Sequence, residues 1–433
     1  MSDLLRLCTA GSVDDGKSTL VGRLLYESRA VYEDQIHAVS RATRQGGADA
    51  IDFSLFTDGL RAEREQGITI DVAYRYFATS RRKFILADTP GHEQYTRNMA
   101  TGASTADLAM LLVDVQQGVR EQTRRHARIA RLLGITSFVL AVNKMDLVGF
   151  DRDTFDAVCR EFADLAGDAL VRAIPLSALC GDNVIARSQR TPWYDGPSLL
   201  EHLETAEIAA DRPQGGFRFP VQIVLRSDGG FRGYAGQVVS GSIRPGDEVT
   251  VWPSGIRTRV RRITTWDGDA AVAFAPMSVA LEVDADVDIG RGDLLSTGAV
   301  HVSRRFTAEV VWMDERPLDP RRPYLLKHTS RTVTADVEGR LELNEIGSVT
   351  LTTSRPLAFD PYARNRATGS FVLIDPATGF TSAAGMIVRP ETEQVAPTFS
   401  TGAAGRIALA ARAAHSDGEA IDAVRRALEE ILT

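Results

Sequence analysis

Apolar residues recur with two different spacings along this chain of 433 residues. The N-terminal part contains short, nearly continuous apolar runs, which is the pattern of strands that are buried on both faces of a parallel sheet. These runs are LLRLC (4–8), KFILAD (83–88), LAMLLVDV (108–115), SFVLAVNK (137–144) and AIPLSA (173–178). The segment DVAYRYFAT (71–79) alternates apolar and polar residues and predicts an edge strand.

Helical spacing separates these strands. The stretches STLVGRLLYES and EQTRRHARIARLLG repeat apolar residues with a helical period, and Gly134 closes the second one at a C-cap position. Strands that alternate with helices in this way predict a doubly wound α/β domain with a mostly parallel sheet over residues 1–212.

The pattern changes after DRPQGGFRFP (211–220). From there, short alternating strands are separated by turn residues, as in RPGDEV and DIGRGDLL, where Pro and Gly favour tight turns. A second β-rich block begins near Phe306. Because all-β segments of this length favour small barrels, we predict one β-barrel over residues 213–304 and another over 305–395.

The last residues, 396–433, predict a helical C-terminal tail. Within GEAIDAVRRALEEILT, one helical face carries Ile421, Val424, Leu428, Ile431 and Leu432. This face either packs on the same chain or docks on a partner, and the sequence leaves both alternatives open.

Composition and charge narrow the class of protein. The chain is 44% hydrophobic and 25% charged, as in globular proteins, and no apolar run reaches the roughly 18 residues that a membrane span needs. The three cysteines contain no CxxC pair, which indicates reduced thiols in a cytoplasmic protein rather than disulfides or a zinc site. The formal charge of −7 argues against a non-specific nucleic-acid coat without excluding a local basic face. We therefore expect no membrane and no nucleic acid among the partners.

A phosphate-binding motif lies between the first strand and the first helix. GSVDDGKS (11–18) matches G-x-x-x-x-G-K-[ST], in which backbone N–H groups and the helix N-terminus surround phosphates. Lys17 would reach the β- and γ-phosphates, and the Ser18 hydroxyl would ligate Mg²⁺. The predicted lining of this loop is Gly11, Asp14, Asp15, Gly16, Lys17, Ser18 and Thr19. A nucleoside triphosphate is the expected ligand.

A second motif indicates which base is bound. NKMD (143–146) follows a later strand, at the edge of the sheet where ligands bind in such folds. The Asp146 carboxylate can accept two hydrogen bonds from guanine, whereas adenine would leave it unpaired. Lys144 would lie over the base, and the backbone of SAL would donate to the guanine oxygen. The predicted base-binding residues are Asn143, Lys144, Asp146, Ser177, Ala178 and Leu179.

Two further segments predict the hydrolytic chemistry. In DTPGH (88–92), Asp88 would hold Mg²⁺ through a water, and the Gly91 amide would donate to the γ-phosphate. His92 occupies the position at which Ras-like proteins carry the glutamine that orients the attacking water; the alternative is an exposed loop histidine. In EREQGITID (63–71), Thr69 would bind Mg²⁺ by its hydroxyl, unless it merely begins the following strand. The predicted catalytic residues are His92, Lys17 and Thr69, and the predicted metal ligands are Ser18, Thr69 and Asp88.

Taken together, GSVDDGKST, EREQGITID, DTPGH, NKMD and SAL, followed by two β-rich blocks, resemble the translation-factor GTPases, of which elongation factor Tu is typical. Longer phrases narrow the resemblance. DGLRAEREQGITIDVAYRYF and DTPGHEQYTRNMATGAS are similar to the large, GTP-binding subunit of bacterial sulfate adenylyltransferase, of the CysN type. Later phrases such as KHTSRTV and TGSFVLIDP extend the likeness to about residue 390.

This resemblance implies a GTPase subunit of an ATP sulfurylase. GTP hydrolysis would drive the formation of adenosine 5′-phosphosulfate and pyrophosphate from ATP and sulfate on a small catalytic subunit of the CysD type. Some relatives carry a fused adenylylsulfate kinase, which would need a second G-x-x-x-x-G-K-[ST]; none occurs after residue 200, so we expect no kinase domain in these residues. A separate adenylylsulfate kinase is a further candidate partner.

One position departs from the translation factors, which usually read VDHGK where this chain reads VDDGK. Two adjacent carboxylates beside phosphates are unfavourable unless a cation compensates them. We therefore expect Asp14 and Asp15 to point outward into solvent, with a monovalent cation at Asp14 as the alternative.

Two other functions remain open from the sequence. The same fold could carry aminoacyl-tRNA as an elongation factor, or it could serve as a non-catalytic scaffold whose GTP site only switches partner binding.

Overall fold

The computed structural model describes residues 3–30, 39, 51–56, 71–207, 216–226, 231–284 and 287–391. Two predicted features, Thr69 and the helical tail 396–433, lie outside these residues. Met1–Pro390 form one compact unit.

A six-stranded sheet forms the first domain. Its strands are β1 (Asp3–Gly11), β2 (Ala73–Ala78), β3 (Arg82–Asp88), β4 (Leu108–Asp114), β5 (Ser137–Asn143) and β6 (Leu170–Pro175). They are ordered β2-β3-β1-β4-β5-β6, and all neighbours are parallel except β2, which runs antiparallel to β3 at the edge. β4 is buried at every position, as its unbroken apolar run predicts. The predicted edge strand and the mostly parallel sheet are confirmed.

Helices cover both faces of this sheet. They are α1 (Lys17–Glu27), α2 (Thr96–Ala103), α3 (Glu121–Leu132), α4 (Arg152–Ala166) and α5 (Leu199–Thr205); single 3₁₀ turns occupy Phe53–Phe56, Glu93–Tyr95 and Met145–Val148. One apolar core packs α2, α3 and α4 on one face, and a second core packs α1 and α5 on the other. Gly134, at a φ of 77°, ends α3 as its sequence predicts. This two-layer covering confirms the doubly wound fold.

Two closed barrels follow the sheet. The first contains β7 (Arg218–Arg226), β8 (Arg232–Gln237), β9 (Ser242–Ile243), β10 (Glu248–Trp252), β11 (Ile256–Thr265), β12 (Gly268–Asp269), β13 (Ala273–Phe274), β14 (Ser278–Val283) and β15 (Leu294–Ser296). Six of these strands, in the order β10-β15-β7-β8-β14-β11, close through the pairing of β10 with β11.

The second barrel contains β16 (His301–Trp312), β17 (Tyr324–His328), β18 (Arg331–Glu338), β19 (Ile346–Phe359), β20 (Ser370–Ile374) and β21 (Thr381–Pro390), with the short helix α6 (Arg366–Gly369). It closes in the order β16-β19-β18-β17-β20-β21. The two predicted barrels are confirmed as a fold class. Strand β16 begins at His301, before the boundary at 304/305, and the domain boundaries stay predictions.

A buried ion pair joins the two barrels. Arg218 of β7 and Asp360, which follows β19, have side chains 2% and 3% exposed, and Arg218 donates from Nε (2.9 Å) and Nη2 (3.1 Å) to the two carboxylate oxygens. The remaining guanidinium N–H groups donate to the carbonyls of Phe217, Thr297 and Ala299. Every donor of this buried arginine is therefore used, as a desolvated charge requires.

The second barrel also contacts the α/β domain. Tyr362 donates from its hydroxyl to the carbonyl of Leu133 (3.0 Å), directly after α3. Arg97 of α2 donates to the carbonyl of Met313 (3.0 Å), directly after β16. In the described parts of the chain, no helix is both long and apolar enough to cross a membrane.

Candidate nucleotide-binding site

The phosphate loop connects β1 to α1, and two glycines make its path possible. Gly11 has a φ of 145° and Gly16 a φ of 91°, a region that L side chains rarely adopt. A Cβ on Gly16 would also lie 2.3 Å from Nδ2 of Asn143. The glycines therefore let the loop curve tightly against the end of β5.

Lys17 is held at the inside of this curve. Its Nζ donates to the carbonyls of Ser12 (2.6 Å) and Gly11 (3.2 Å), and the residue is only 7% exposed. Burial lowers the pKa of its ammonium group, while nearby carboxylates oppose that shift. A Cβ on Gly91 would lie 2.3 Å from Nζ, so the structure brings the phosphate loop and DTPGH into contact at this lysine.

The two loop carboxylates take different environments. Asp14, at a φ of 67°, is exposed as expected. Asp15 is 3% exposed and its Oδ2 accepts a hydrogen bond from the Ser12 amide (2.6 Å), so the expectation that it points into solvent is wrong. Burial raises the pKa of Asp15 to about 6, and the charge of Lys17 is the largest opposing effect. Asp15 thus braces the loop from within.

The predicted metal ligands that the structure describes lie beside the phosphate loop. Asp88, at the end of β3, is 1% exposed and accepts a hydrogen bond from the Thr9 hydroxyl of β1 (2.8 Å). Ser18 and Thr19 occupy the first turn of α1, half-buried, and within the described ranges their hydroxyls have no hydrogen-bond partner. A fixed carboxylate and an open hydroxyl are therefore available at one end of the loop.

Asn143 connects the phosphate loop to the base-reading loop. Its Nδ2 donates to the carbonyl of Asp15 (2.8 Å), and its Oδ1 accepts from the amide of Ala178 (2.9 Å). The Ala178 amide, one of the SAL backbone groups that the sequence assigns to the guanine oxygen, is therefore bonded to protein in this structure. Ser177 is buried, and its hydroxyl accepts from the amide of Cys180 (3.1 Å).

The remaining residues of the base-reading motif differ in whether they have partners. Lys144, at a φ of 63°, donates from Nζ to the Asp114 carboxylate (2.9 Å) at the end of β4. Asp146 is half-buried, and no partner for its carboxylate is found among the residues that the structure covers. Leu147 and Leu179 are 55% and 63% exposed. An unpaired carboxylate in a motif with exposed apolar side chains is suited to a planar base with N–H groups.

His92 lies in the turn before α2. It is half-buried, its Nδ1 accepts from the amide of Gln94 (3.3 Å), and its ring centre lies 6.0 Å from that of Tyr95. Its catalytic role stays a prediction, as does that of Thr69.

The structure adds two α3 residues that the motifs did not reveal. His126 is fully buried and its Nδ1 accepts from the Gly11 amide (3.2 Å), while the hydroxyls of Thr123 and Ser12 lie 3.2 Å apart. Burial, followed by the charge of Lys17, lowers the pKa of His126 to about 3, so its imidazole is neutral. A histidine on the mainly apolar buried face of α3 was the available signal.

Two family models match parts of this chain. The family described as "Elongation factor Tu GTP binding domain" matches residues 2–209, and "GTP-eEF1A C-terminal domain-like" matches residues 337–388. The α/β domain is thus a GTP-binding domain of the elongation factor Tu type.

Relatives that match most of this chain identify the family more specifically. The chain is 54% identical over 416 residues to the bifunctional enzyme CysN/CysC of Mycobacterium tuberculosis H37Rv, covering 90% of this chain and 68% of the relative. It is 52% identical over 413 residues to sulfate adenylyltransferase subunit 1 of Bacteroides fragilis, covering 89% and 86%. The same subunit of Alteromonas mediterranea is 46% identical over 424 residues, covering 92% and 90%. The chain belongs to the sulfate adenylyltransferase subunit 1 family, an enzyme family built on a GTPase domain.

Proposed function

We propose that this chain is the GTPase subunit of a cytoplasmic sulfate adenylyltransferase. GTP hydrolysis in its α/β domain drives the formation of adenosine 5′-phosphosulfate and pyrophosphate from ATP and sulfate on a small catalytic partner of the CysD type. The observation that carries this proposal is 52% identity to sulfate adenylyltransferase subunit 1 over 86% of that protein. A separate adenylylsulfate kinase would consume the product.

The geometry supports separate roles for the residues around the nucleotide. Lys17 is held beside Gly91, where it would neutralise the β- and γ-phosphates, and the Gly91 amide would donate to the γ-phosphate. Asp146 would accept from the guanine N–H groups. His92 would orient the water that attacks the γ-phosphoryl group. The three free cysteines fit a reducing cytoplasm.

Mg²⁺ is the proposed metal. Oxygen donors are the ligands that this ion prefers, and Ser18 and Asp88 supply a hydroxyl and a carboxylate next to the phosphate loop. Thr69 would complete the protein ligands. The ion would bridge phosphate oxygens and neutralise the charge that develops during hydrolysis.

The proposal is tested by coupled turnover. The chain is mixed with GTP, Mg²⁺, ATP, sulfate and a small ATP-sulfurylase subunit, and phosphate release from GTP is measured together with adenosine 5′-phosphosulfate. We expect GTP turnover to rise when all components are present, and product formation to depend on GTP.

A Lys17→Ala subunit is the matched control, because it should abolish both signals. Unchanged GTP turnover on adding the partner, ATP and sulfate would contradict the coupled reaction. Binding of ATP as tightly as GTP would contradict the base assignment.

A further inference from the structure

A buried arginine connects α1 to the base-reading loop. Arg23 interrupts the apolar stretch LVGRLLY and is only 9% exposed. Its Nε donates to the carbonyl of Ala178 (2.6 Å) and its Nη2 to the carbonyl of Leu179. Nη1 forms an ion pair with Glu27, one turn further along α1 (2.5 Å).

The guanidinium is confined on two further sides. Its central carbon lies 4.2 Å from the ring centre of Phe53, in a cation–π contact. Further along the base-reading loop, a Cβ on Gly181 would lie 2.8 Å from Nη1, so the glycine leaves room for the group. A charge this desolvated is tolerated only because its donors reach acceptors. Arg23 therefore fixes the orientation of the loop that it contacts.

Because the peptide unit is planar, this contact also determines the direction of one neighbouring amide. The carbonyl of Ala178 and the N–H of Leu179 belong to the same trans peptide unit, in which the two groups point in opposite directions. Because Arg23 holds the carbonyl oxygen on its own side, the Leu179 N–H points to the other side of the loop.

That amide is open. The neighbouring amides of Ala178 and Cys180 donate to Asn143 and Ser177. Across the stretches that the structure describes, the Leu179 N–H has no acceptor. Asn143 and the Met145–Leu176 backbone bond (3.2 Å) also fix this loop to the NKMD motif that carries Asp146.

We propose that Arg23 is a positioning residue for guanine recognition: it orients the 178–179 peptide so that the Leu179 N–H donates to the 6-oxygen of the base. The inference rests on the proposed GTP binding. It assigns the donor to Leu179 rather than to Ala178, and it assigns the orientation of that donor to a side chain on α1.

Arg23→Lys is the informative variant, because lysine keeps the positive charge and loses the planar fork that spans two carbonyls. Dissociation constants are measured by calorimetry for three triphosphates. These are GTP, ITP, which keeps the 6-oxygen and lacks the 2-amino group, and 2-aminopurine riboside triphosphate, which lacks the 6-oxygen and with it the N1–H; each variant is compared with the wild type for the same nucleotide. We expect the variant to bind GTP and ITP about five- to tenfold more weakly, the worth of one hydrogen bond. Binding of the 2-aminopurine nucleotide should change less than about twofold.

A second variant addresses the amide directly and does not depend on the folding of the arginine variant. Leu179 is replaced by its α-hydroxy acid, which exchanges the N–H for an ester oxygen and keeps the side chain. The binding of GTP and ITP should again be weaker, whereas binding of the 2-aminopurine nucleotide should change little. In the double variant, the ester should weaken GTP binding little beyond the effect of Arg23→Lys. Arg81→Lys, at an arginine whose side chain is 66% exposed, is the matched control.

The outcomes separate this inference from the proposed function. Equal weakening of all three nucleotides would show a merely structural role for Arg23, and unchanged GTP affinity in either variant would also overturn the inference. If the wild-type chain itself fails to prefer GTP to ATP, the proposed function is wrong.

Discussion

Polar groups are paired differently at the Arg218–Asp360 ion pair between the two barrels, here called the seam, and at the nucleotide site. At the seam, Arg218 uses every N–H of its guanidinium, and Asp360 accepts from both Arg218 and the Thr368 hydroxyl. At the nucleotide site, Asp146 has no partner in the described residues, and neither has the Leu179 amide. Buried polar groups in native proteins are almost always paired, as they are at the seam. The half-buried Asp146 carboxylate and the Leu179 amide instead keep their hydrogen-bonding capacity available to a ligand. The seam is built for stability and the nucleotide site for binding.

The largest effect should come from breaking the seam. Asp360→Ala leaves a buried guanidinium without its carboxylate, and such a change lowers the free energy of unfolding by about 3–5 kcal/mol. The affinity for GTP should not change, because the pair does not touch the nucleotide site. Urea unfolding and calorimetric GTP titration measure the two quantities.

The control for this prediction is Glu338→Ala, which removes a surface ion pair with Arg305. The Glu338 side chain is 60% exposed. Its loss should cost less than about 1 kcal/mol. Equal losses for Asp360→Ala and Glu338→Ala would remove the distinction between the seam and an ordinary surface pair.

Lys17→Ala should weaken GTP binding and leave the stability almost unchanged, which is the opposite of the result expected for Asp360→Ala. Removing the ammonium that faces the phosphates should weaken GTP binding at least about 100-fold. The free energy of unfolding should change by less than about 1 kcal/mol, because the bonds lost are to two backbone carbonyls and the buried charge disappears with them. Lys83→Ala, at an exposed lysine of β3, is the control. A stable variant that still binds GTP normally would contradict the assignment.

At the base end, Asp146→Asn should change selectivity rather than stability. The asparagine amide donates where the carboxylate accepts, so it suits the extra carbonyl of xanthine. GTP binding should weaken by about 100-fold, and xanthosine triphosphate should become the preferred ligand. Competition between the two nucleotides measures this switch. Asp153→Asn, on the exposed side of α4, should leave the preference for GTP intact.

The fold was predictable because its signals are local. An unbroken apolar run such as that of β4 can only be buried on both faces, and Gly134 ends α3 because its backbone adopts a positive φ. The motifs were predictable for the same reason. The residues that determine the shape of the phosphate loop lie close together in the sequence.

What the sequence did not reveal depends on contacts between distant elements. Asp14 and Asp15 are neighbours of identical chemistry, yet one is exposed and the other lies beneath the loop, a distinction set by the packing of the loop against the sheet. The Asn143–Ala178 bond and the contact of His126 with Gly11 join residues that are 35 and 115 positions apart. No short motif contains both partners of such a bond.

His126 should make the stability of the nucleotide-free chain depend on pH. The unfolded imidazole binds a proton below its ordinary pKa of 6.5, whereas the folded one, with a pKa of about 3, does not. Stability is therefore lost as the pH falls below about 6.5. His126→Asn, which keeps an acceptor for the Gly11 amide, should remove about 2 kcal/mol of that loss between pH 7.5 and pH 5. Urea unfolding at the two pH values measures it; an unchanged slope would show that His126 is not buried neutral.

Asp15 should change the pH dependence of stability in the opposite direction to His126, and by a smaller amount. Its folded pKa of about 6 lies above the ordinary value of 3.8, so the folded chain binds more protons and gains stability as the pH falls from about 6 to 4. Asp15→Asn still accepts from the Ser12 amide and should remove about 1 kcal/mol of that gain between pH 7.5 and pH 5. The variant should therefore lose more stability on acidification than the wild type does, and Asp14→Asn, at the exposed neighbour, should follow the wild type. If Asp14→Asn and Asp15→Asn shift the unfolding midpoints equally at both pH values, Asp15 is solvated like its neighbour and does not brace the loop from within.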